Sequence, residues 1–502
     1  MRSLYRNLVE TVVAPVRAMR LRYLPLLMVY FAYGASGFSA VAESFWVKEK
    51  LALSAEALVA LGVWLTVPWT IKVVFGQLVD SVPLFGSRRH AYILLGAGLM
   101  AGANLMLAGA AGGWIGSLRP EAVYVAAALI FVLGLVIQDV VADAMSTEVV
   151  DRHDEKGRPR PEHEVDADLG MVQVLGRIAL MLGVFAVAGL GGWLADILPY
   201  EDIFLLALAV PAISVAGSLL VRLETVEHKP LDWRILGGGI VFGLVTIAIG
   251  IGTIPLGQEL IFVLSMATMA FLLWLTIADI DAAARRSIVY AAVVIFVFRA
   301  MPTFGPGAQW WQIDVLGFDP GFFGTLGQIG AGIAIVATWL FSRTVTERPV
   351  TVVLAWLTVL GALLSLPTVG MYYGLHEWTQ RVFGFGAHGI ALIDTSLASP
   401  FAQLSMVPML TLIAVHAPPG RRATWFALMA SLMNLALQAG ALGTKYLNQI
   451  FVVERGAYGE LGRLMITATA IGFVVPLLTI ALVGPRLRAG SSTMAQKEVT
   501  AP

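Results

Sequence analysis

Residues 68–92 read PWTIKVVFGQLVDSVPLFGSRRHAY, in which two apolar segments flank a short charged turn. The first apolar segment carries Lys72 and continues through Gly76 to Asp80, and two adjacent arginines close the turn. Positively charged residues concentrate in the cytoplasmic loops of membrane proteins. The pattern therefore predicts a short cytoplasmic connection between two membrane-spanning helices.

The composition of the whole chain is that of a polytopic membrane protein. Its 502 residues are 58% hydrophobic and 13% charged, with a mean hydropathy of +0.80, values far from those of soluble domains. The 33 basic residues balance the 33 acidic ones, so we predict no nucleic acid partner. The chain has no cysteine, which excludes disulfides and thiolate sites. Because no catalytic or metal-ligand constellation is found either, we predict no enzyme activity, no metal and no cofactor.

Hydropathy predicts about 14 transmembrane helices, since a helix that crosses a bilayer needs about 20 mostly apolar residues. These spans fall near residues 24–47, 56–79, 91–115, 121–146, 169–196, 202–221, 235–254, 259–280, 287–313, 321–342, 350–374, 389–416, 422–447 and 461–485. Most lysines and arginines lie in segments that become cytoplasmic if both termini are inside. We therefore predict an all-α, multi-pass protein of a bacterial inner membrane with cytoplasmic termini.

A weak internal repeat divides these spans into two sets of six. The segment Phe45–Gly62, FWVKEKLALSAEALVALG, aligns without gaps with Trp310–Gly327, WWQIDVLGFDPGFFGTLG. Each has an aromatic pair, a Ser or Asp at a predicted helix N-cap, and then Leu-Gly. The alignment makes residues 235–280 an inserted helical pair. The predicted divisions are a cytoplasmic amphipathic segment at 1–23, a six-helix bundle at 24–222, a linker with two extra helices at 223–284, a second six-helix bundle at 285–486 and a disordered cytoplasmic tail at 487–502.

Two arginines lie within predicted spans, where an ionisable residue is costly unless it has a partner or a function. Arg299 lies near the middle of its span and Arg177 lies toward the cytoplasmic side. A guanidinium stays charged and can bind a carboxylate through two parallel hydrogen bonds, which suits an organic anion as substrate. For Arg177, a structural ion pair with Asp139 or Asp143 is an equal alternative.

Four carboxylates within the spans are candidates for proton coupling, because burial favours the protonated form of a carboxyl group. They are Glu43, Asp139, Asp143 and Asp394, and the sequence does not rank them. Asp139 and Asp143 share one face of a helix. Gln138 lies beside them and is a further candidate for substrate binding.

The stretch at 298–318, FRAMPTFGPGAQWWQIDVLGF, is broken by prolines and glycines. Such breaks free backbone groups that are tolerated in a membrane only beside other protein or a water-filled cavity. Gln309, Trp310, Trp311 and Gln312 follow the break and offer planar faces and amide edges, which could hold a flat heteroaromatic ring. The alternative for the tryptophans is an aromatic belt at the outer membrane surface.

The spacing of residues 68–92 resembles the signature loop of the major facilitator superfamily. The resemblance implies that fold, with two six-helix bundles, to which the internal repeat adds the inserted pair. In that superfamily the loop carboxylate and arginines lock helix ends together in one state and release them in the other. The resemblance thus implies a conformational gate, as opposed to an ordinary basic loop. The residues it assigns to the gate are Lys72, Gly76, Asp80, Arg88 and Arg89.

The same stretch is most similar to the folate-biopterin transporter family, in which a P-W-x-I-K run precedes G-x-x-x-D-S-x-P-x-F-G-x-R-R-x-x-Y. Three further stretches agree with family motifs, namely QDVVADAMSTEVV at 138–150, LGFDPGFFGTLGQIG at 316–330 and RATWFALMASLMNL at 422–435. The motif positions carried over are Lys72, Asp80, Arg88, Arg89, Asp139, Asp143, Ala423, Phe426 and Asn434. The inserted pair and Val73, which replaces a usual proline, depart from the family pattern.

The resemblance implies a monomeric secondary transporter that moves a folate- or pterin-like organic anion by proton-coupled alternating access. Residues 174–196 are also similar to the muropeptide permeases. A muropeptide or other amphiphilic-anion permease is therefore one alternative. A facilitator-fold assembly factor that does not transport is the other.

Overall fold

The computed structural model of the chain describes residues 19–500, apart from residues 85, 88, 152–155, 157, 159, 221–232, 253, 279–280, 347–349, 405–408, 410–412 and 414–421. Its regular elements in the described part are helical, and they follow a turn of 3-10 helix at Leu21–Tyr23. The helices are α1 (Leu24–Ala35), α2 (Ala40–Lys50), α3 (Ala55–Thr70), α4 (Lys72–Ser81), α5 (His90–Ala111), α6 (Pro120–Glu148), α7 (Glu162–Ala195), α8 (Tyr200–Leu206), α9 (Ala209–Leu220), α10 (Trp233–Ile251), α11 (Gly257–Ile277), α12 (Ala282–Arg299), α13 (Pro306–Asp314), α14 (Pro320–Thr346), α15 (Val350–Tyr372), α16 (Leu375–Phe383), α17 (Ala387–Leu404), α18 (Arg422–Ile450) and α19 (Leu461–Thr500).

Nine helices of the described part are long and apolar enough to cross a membrane, or ten if the bent pair α16 and α17 forms one span. Two shorter apolar helices, Ala55–Thr70 and Leu236–Gly250, fall below the length of a full span. Every predicted span coincides with at least one helix. The all-α polytopic fold is thereby confirmed, while the count of about 14 spans stays a prediction.

Four of the predicted spans each consist of two helices, and in the span near 202–221 residues 207–208 separate α8 from α9. The turn Ser36–Ser39 separates α1 from α2, and Ile71 separates α3 from α4. Residues 300–305 separate α12 from α13, at the predicted Pro-Gly break. There the backbone N–H of Thr303 donates to the Thr444 hydroxyl of α18 over 2.9 Å. The freed backbone is thus satisfied by neighbouring protein, as a membrane interior requires.

The chain forms two compact units. The first contains Met1–Leu51, Lys72–Val241 and Pro320–Gln328. In this unit α1 packs against α7, and α5 packs against α6. The backbones of α1 and α7 touch through glycines: a Cβ added to Gly183 would lie 2.1 Å from the carbonyl oxygen of Phe31. This contact sets the position of α1 along the axis of α7, and with it the relative positions of their side chains.

The second unit contains Ala52–Ile71, Phe242–Asp319 and Ile329–Pro502. Here α3 packs against α18, and the Asn434 amide of α18 donates to the carbonyl of Trp69 over 3.3 Å. The core of this unit lies among α12, α15 and α18, with Ile288, Ile295, Leu354 and Met429 buried together. This apolar packing holds α12 in place on the N-terminal side of the break between α12 and α13.

The inserted pair, α10 and α11, is attached to the second unit by specific polar contacts of α11. The Glu259 carboxylate accepts hydrogen bonds from Lys445 over 2.9 Å and from the Tyr446 hydroxyl over 2.8 Å, both on α18. The neighbouring Gln258 amide donates to the carbonyl of Ala60 on α3 over 2.9 Å. The pair is therefore part of the packing around α3 and α18.

The repeat predicted from the sequence corresponds to two matching helix starts. The Ser54 hydroxyl accepts a hydrogen bond from the N–H of Ala57 over 3.1 Å, so Ser54 is the N-cap of α3. Its counterpart Asp319 immediately precedes α14, which begins at Pro320. The predicted bundle boundaries themselves stay predictions.

The two predicted terminal segments differ in how much of them the structure describes. Residues 1–18 of the amphipathic segment lie outside the described residues. The last helix extends to Thr500 and so includes most of the stretch predicted as a disordered tail, residues 487–502. Good helix formers such as those in MAQKE favour this extension.

Candidate functional site

Lys72 forms the centre of a charge cluster in the first unit. It is the first residue of α4, directly after the interruption at Ile71. Its ammonium nitrogen lies 2.5 Å from a carboxylate oxygen of Asp139 and 2.5 Å from one of Asp143, both on α6. The Tyr30 hydroxyl of α1 donates to the other oxygen of Asp143 over 3.1 Å. Three helices thus contribute to one network within a membrane-spanning region.

The two aspartates of the charge cluster meet Lys72 because they lie one turn apart on α6. Their side chains differ in exposure, at 11% for Asp139 and 54% for Asp143, and that of Lys72 is 24% exposed. Asp139 is therefore the member whose charge depends most on the lysine, since a buried carboxylate needs a close cation. The predicted shared face of the two aspartates is confirmed, and Lys72 is the cation that it binds.

Arg177 lies beside this cluster on α7. It is exposed, and it is close enough to Tyr30, Tyr33 and Asp139 to act on them electrostatically. Within the described part of the chain it makes no direct ion pair with either aspartate. The structural ion pair that was the alternative role for Arg177 is made by Lys72 instead. The guanidinium therefore lies next to the cluster, in which Lys72 and the two ionised aspartates carry a net charge of −1.

Gln138 is fully buried although it neighbours Asp139 in sequence. Its amide oxygen accepts a hydrogen bond from the Ser214 hydroxyl over 2.9 Å, and its nitrogen donates to the carbonyl of Ile93 over 3.4 Å. These contacts join α6 to α9 and α5. They support a structural role, and contact with a substrate stays a prediction.

The other two candidate carboxylates have neutral partners. Glu43, on α2, is hydrogen-bonded to the Tyr124 hydroxyl of α6. Asp394, on α17 of the second unit, accepts a hydrogen bond from the Thr368 hydroxyl over 3.0 Å, and its other oxygen is buried. The four predicted proton carriers therefore form two classes, one paired with a lysine and one with hydroxyls.

Arg299 is the last residue of α12 in the second unit. Its Nε donates to the carbonyl of Met433 on α18 over 3.3 Å, and the side chain is partly buried. The flanking residues Phe298 and Met301 line a cavity of about 370 Å³ among α12, α15 and α19. Arg299 thus lies at the predicted break and next to open volume, and its contact with a substrate stays a prediction.

Trp310 and Trp311 are buried on α13, with exposed fractions of 2% and 4%. The Arg455 guanidinium carbon lies 4.9 Å from the Trp310 ring centroid, and the Tyr372 ring centroid lies 5.6 Å from that of Trp311. Protein groups therefore pack against both rings. A substrate ring would have to displace them, so these contacts do not support stacking.

Three further polar side chains belong to α13. Gln309 and Gln312 are partly buried on the same helix. Asp314 accepts a hydrogen bond from Tyr458, and burial together with this bond raises the pKa of Tyr458 to about 12. The predicted roles of Gln309 and Gln312 in substrate binding stay predictions.

The predicted gate loop is held together by Arg89. Its guanidinium binds both carboxylate oxygens of Glu148 at the end of α6 and donates to the carbonyl of Val79 over 3.2 Å. The Tyr92 hydroxyl donates to the carbonyl of Val82 over 3.0 Å. Lys72, Gly76 and Asp80 lie along α4, whereas Arg88 lies outside the described residues. Arg89 therefore joins the end of α4 to the end of α6.

Replacing Glu148 with alanine should lower the free energy of unfolding by about 3–5 kcal/mol, because it removes a carboxylate that pairs with the buried Arg89 guanidinium, which is only 4% exposed. Thermal unfolding of the purified protein measures this. The conservative Glu148→Asp variant should recover part of the loss, and Glu201→Ala, which removes a carboxylate from the start of α8, should behave like the wild type. Wild-type stability of Glu148→Ala would contradict the buried pair.

Three site residues are absent from the sequence-based predictions. Tyr30 and Tyr33 were missed because a tyrosine in a membrane span is not costly enough to stand out. Glu148 was missed because it lies at a helix end, where charged residues are common. Its position opposite the basic loop that follows α4 is the pattern that could have indicated it.

Several known proteins are similar to this chain over most of its length. A profile of the BT1 family matches residues 33–493. The chain is 27% identical over 459 residues to a folate-biopterin transporter of Synechocystis sp., covering 90% of this chain and 80% of that protein. It is 23% identical over 468 residues to a probable folate-biopterin transporter 4 of Arabidopsis thaliana, covering 86% of this chain and 89% of that protein.

Solved structures of peptide transporters share the fold. A POT family transporter in complex with a thioalcohol-conjugated peptide superposes with a TM-score of 0.67 at 14% identity, over 94% of this chain and 99% of that one. A peptide transporter POT in complex with sulfate gives 0.63 at 17% identity, over 93% and 94%. This likeness confirms the facilitator-type fold predicted from the sequence. The chain belongs to the BT1 family of folate-biopterin transporters, and it is a multi-pass membrane transporter rather than an enzyme.

Proposed function

We propose that this protein is a secondary active transporter that moves a folate- or pterin-like organic anion by proton-coupled alternating access. It would act as a monomer in a bacterial inner membrane, with both termini in the cytoplasm. The names of the two relatives support the substrate class.

The observation that carries the proposal is the charge cluster of Lys72, Asp139 and Asp143 with Arg177 beside it. Four ionisable groups within membrane helices are costly unless they have partners or a function, and in membrane proteins such groups often mark the path of a substrate or an ion. The lysine and the two ionised aspartates carry a net charge of −1, and Arg177 brings the four groups to neutrality. The exposed Arg177 guanidinium takes no part in the two close ion pairs of Lys72. It is therefore the group that we propose binds a carboxylate-bearing solute.

We place the carboxylates of the solute at Arg177 and Arg299. The aromatic ring is assigned to Trp310 and Trp311 with Gln309 and Gln312, as predicted from the sequence. Their current contacts with Arg455 and Tyr372 mean that this part of the assignment requires those groups to move. The arginine part of the assignment requires no such rearrangement of Arg177.

A thermal-shift screen tests the substrate class directly. The purified protein would be heated with folates, reduced pterins and anhydro-muropeptides, each over a range of concentrations. A ligand that binds only the native state at a hundred times its Kd adds about 2.7 kcal/mol of apparent stability. Stabilisation by folates or pterins supports the proposal. Stabilisation by muropeptides alone would replace the substrate class, and no stabilisation by any of them would contradict transport of these solutes.

Replacing Arg177 with alanine should weaken folate binding by about ten- to a hundred-fold, because a hydrogen bond to a charged group contributes about 1.5–3 kcal/mol. Ligand-induced thermal shifts measure the change in Kd. The matched control is Arg381→Ala, which removes an exposed arginine whose bond stays within its own short helix. Unchanged affinity in Arg177→Ala would remove Arg177 from the substrate site while leaving the family assignment intact.

A further inference from the structure

Glu43 is a carboxylic acid within a membrane span whose hydrogen-bond partner is a neutral hydroxyl. It lies in the first turn of α2, partly buried, and is bonded to Tyr124 near the start of α6. The hydrogen-bond partner described for it is the Tyr124 hydroxyl rather than a lysine or arginine. An ionised carboxylate without a cation is expensive in an apolar interior, whereas the neutral acid costs far less. A bound proton therefore stabilises Glu43 in this setting.

The aspartates of the charge cluster are in the opposite setting. The Lys72 ammonium lies 2.5 Å from an oxygen of Asp139 and equally close to one of Asp143. A proton on one aspartate would remove one of the two close ion pairs, and the other aspartate would still balance the lysine charge. At least one of these carboxylates is therefore stabilised in its ionised form by a cation, which distinguishes the pair from Glu43.

The surroundings of Glu43 leave Tyr124 as its titratable neighbour. Helices α7 and α8 pack on α2. Tyr200 of α8 donates to Glu49 over 2.8 Å instead. The other charged groups on or near these elements are Lys48 and Lys50 of α2, Asp196 at the end of α7, Glu201 and Asp202 of α8, and Arg119 and Glu121 at the start of α6. The Trp46 ring packs edge-on against Tyr124, with centroids 6.2 Å apart, and shields the pair.

Two backbone connections link the site of Glu43 to the charge cluster. Tyr124 and Asp139 both lie on α6, about 20 Å apart at 1.5 Å per residue. On the other side, α2 carries Glu43 and joins α1, which carries Tyr30, through the turn Ser36–Ser39. A change in the bond between Glu43 and Tyr124 therefore acts on the same helices that hold Asp139 and Asp143.

We infer that Glu43 binds the coupled proton and that Tyr124 positions it. This inference rests on the proposed function and assigns the proton of that transport cycle to one carboxyl group. A proton from water binds a carboxylate oxygen of Glu43, and the neutral acid stays hydrogen-bonded to the Tyr124 hydroxyl. The same proton returns to water on the other side of the membrane, so no further reactant is needed.

Proteoliposomes with tritiated folic acid test the assignment through two assays. One measures accumulation driven by an imposed pH gradient, and the other measures exchange of internal for external folate without a gradient. Glu43→Gln, which mimics the protonated acid permanently, should lose accumulation to background while exchange continues. The matched control Glu49→Gln, an exposed carboxyl on the same helix, should accumulate folate like the wild type. Tyr124→Phe should still accumulate folate with a shifted pH dependence.

Several outcomes would overturn the inference. Glu43→Gln could accumulate folate normally, or Asp394→Asn could be the variant that loses accumulation and keeps exchange. If Glu43→Gln does not fold, an unchanged pH dependence in Tyr124→Phe would overturn it. Failure of the proposed function looks different, because the wild type itself would then neither accumulate nor exchange folates.

An infrared titration provides a readout that needs no substrate. The carbonyl stretch of a protonated carboxyl group should be present in the wild type near neutral pH. Its intensity should fall in Glu43→Gln and stay at the wild-type level in Glu49→Gln. The same band in Glu43→Gln as in the wild type would place the proton elsewhere.

Discussion

Replacing Lys72 with methionine is expected to abolish folate uptake and to lower the free energy of unfolding by about 3–5 kcal/mol. The substitution keeps a long apolar stem but removes the charge that lies 2.5 Å from both Asp139 and Asp143. Asp139, with its side chain 11% exposed, would then be left as an uncompensated buried carboxylate. Uptake into proteoliposomes and thermal unfolding of the purified protein measure the two effects separately.

A double variant separates the structural part of this effect from the functional part. Combining Lys72→Met with Asp139→Asn removes both charges, so the free energy of unfolding should return toward the wild-type value while uptake stays lost. The surface variant Lys50→Met serves as a control for loss of a lysine. Wild-type stability in Lys72→Met would contradict the charge cluster, and restored uptake in the double variant would reduce Lys72 to a structural role.

Replacing Gly183 with valine is expected to destabilise the first unit by about 3 kcal/mol or more, at or above the upper end of the usual cost of overpacking. The first added carbon would lie 2.1 Å from the backbone oxygen of Phe31, and backbone cannot rotate away as a side chain can. The forced separation of α1 and α7 would also move Tyr30 away from Asp143. Uptake should therefore fall together with the midpoint of thermal unfolding.

Gly98→Ala is the matched control for this substitution. Gly98 lies within α5, and a Cβ added there meets nothing within 4 Å. An alanine at such a position should stabilise the protein by about 0.4–1 kcal/mol, because glycine costs more backbone entropy on folding. A Gly183→Val protein as stable as Gly98→Ala would show that α1 and α7 are not in direct backbone contact.

Much of the fold could be predicted from local patterns of sequence. The N-cap at Ser54 and the break at 300–305 follow from residue types whose backbone preferences act over a few positions. The division of the second span at Ile71 was not predicted, because nothing in an apolar run signals where a helix is interrupted by its tertiary contacts. The extension of α19 toward Thr500 was likewise outside the prediction.

The site could be predicted in its members but not in its pairings. Asp139 and Asp143 share a helix face, and that spacing can be read along one segment. Their partner Lys72 lies on a different helix. The sequence suggested Arg177 instead, because its span directly follows the span of the two aspartates. Which cation reaches a carboxylate depends on how whole helices pack, and no local rule contains that information. The same reason explains why the burial of Gln138 and Trp310 could not be foreseen.

The attachment of α11 to α18 has a consequence for the ancestry and engineering of this protein. Lys445 and Tyr446 are satisfied by Glu259, which belongs to the inserted pair. A twelve-helix version made by excising α10 and α11 would leave Lys445 without the Glu259 carboxylate that it binds, and a charge without a partner is costly in a membrane span. Gain or loss of the pair in a lineage should therefore coincide with a change at residue 445, so that the two behave as one inherited character.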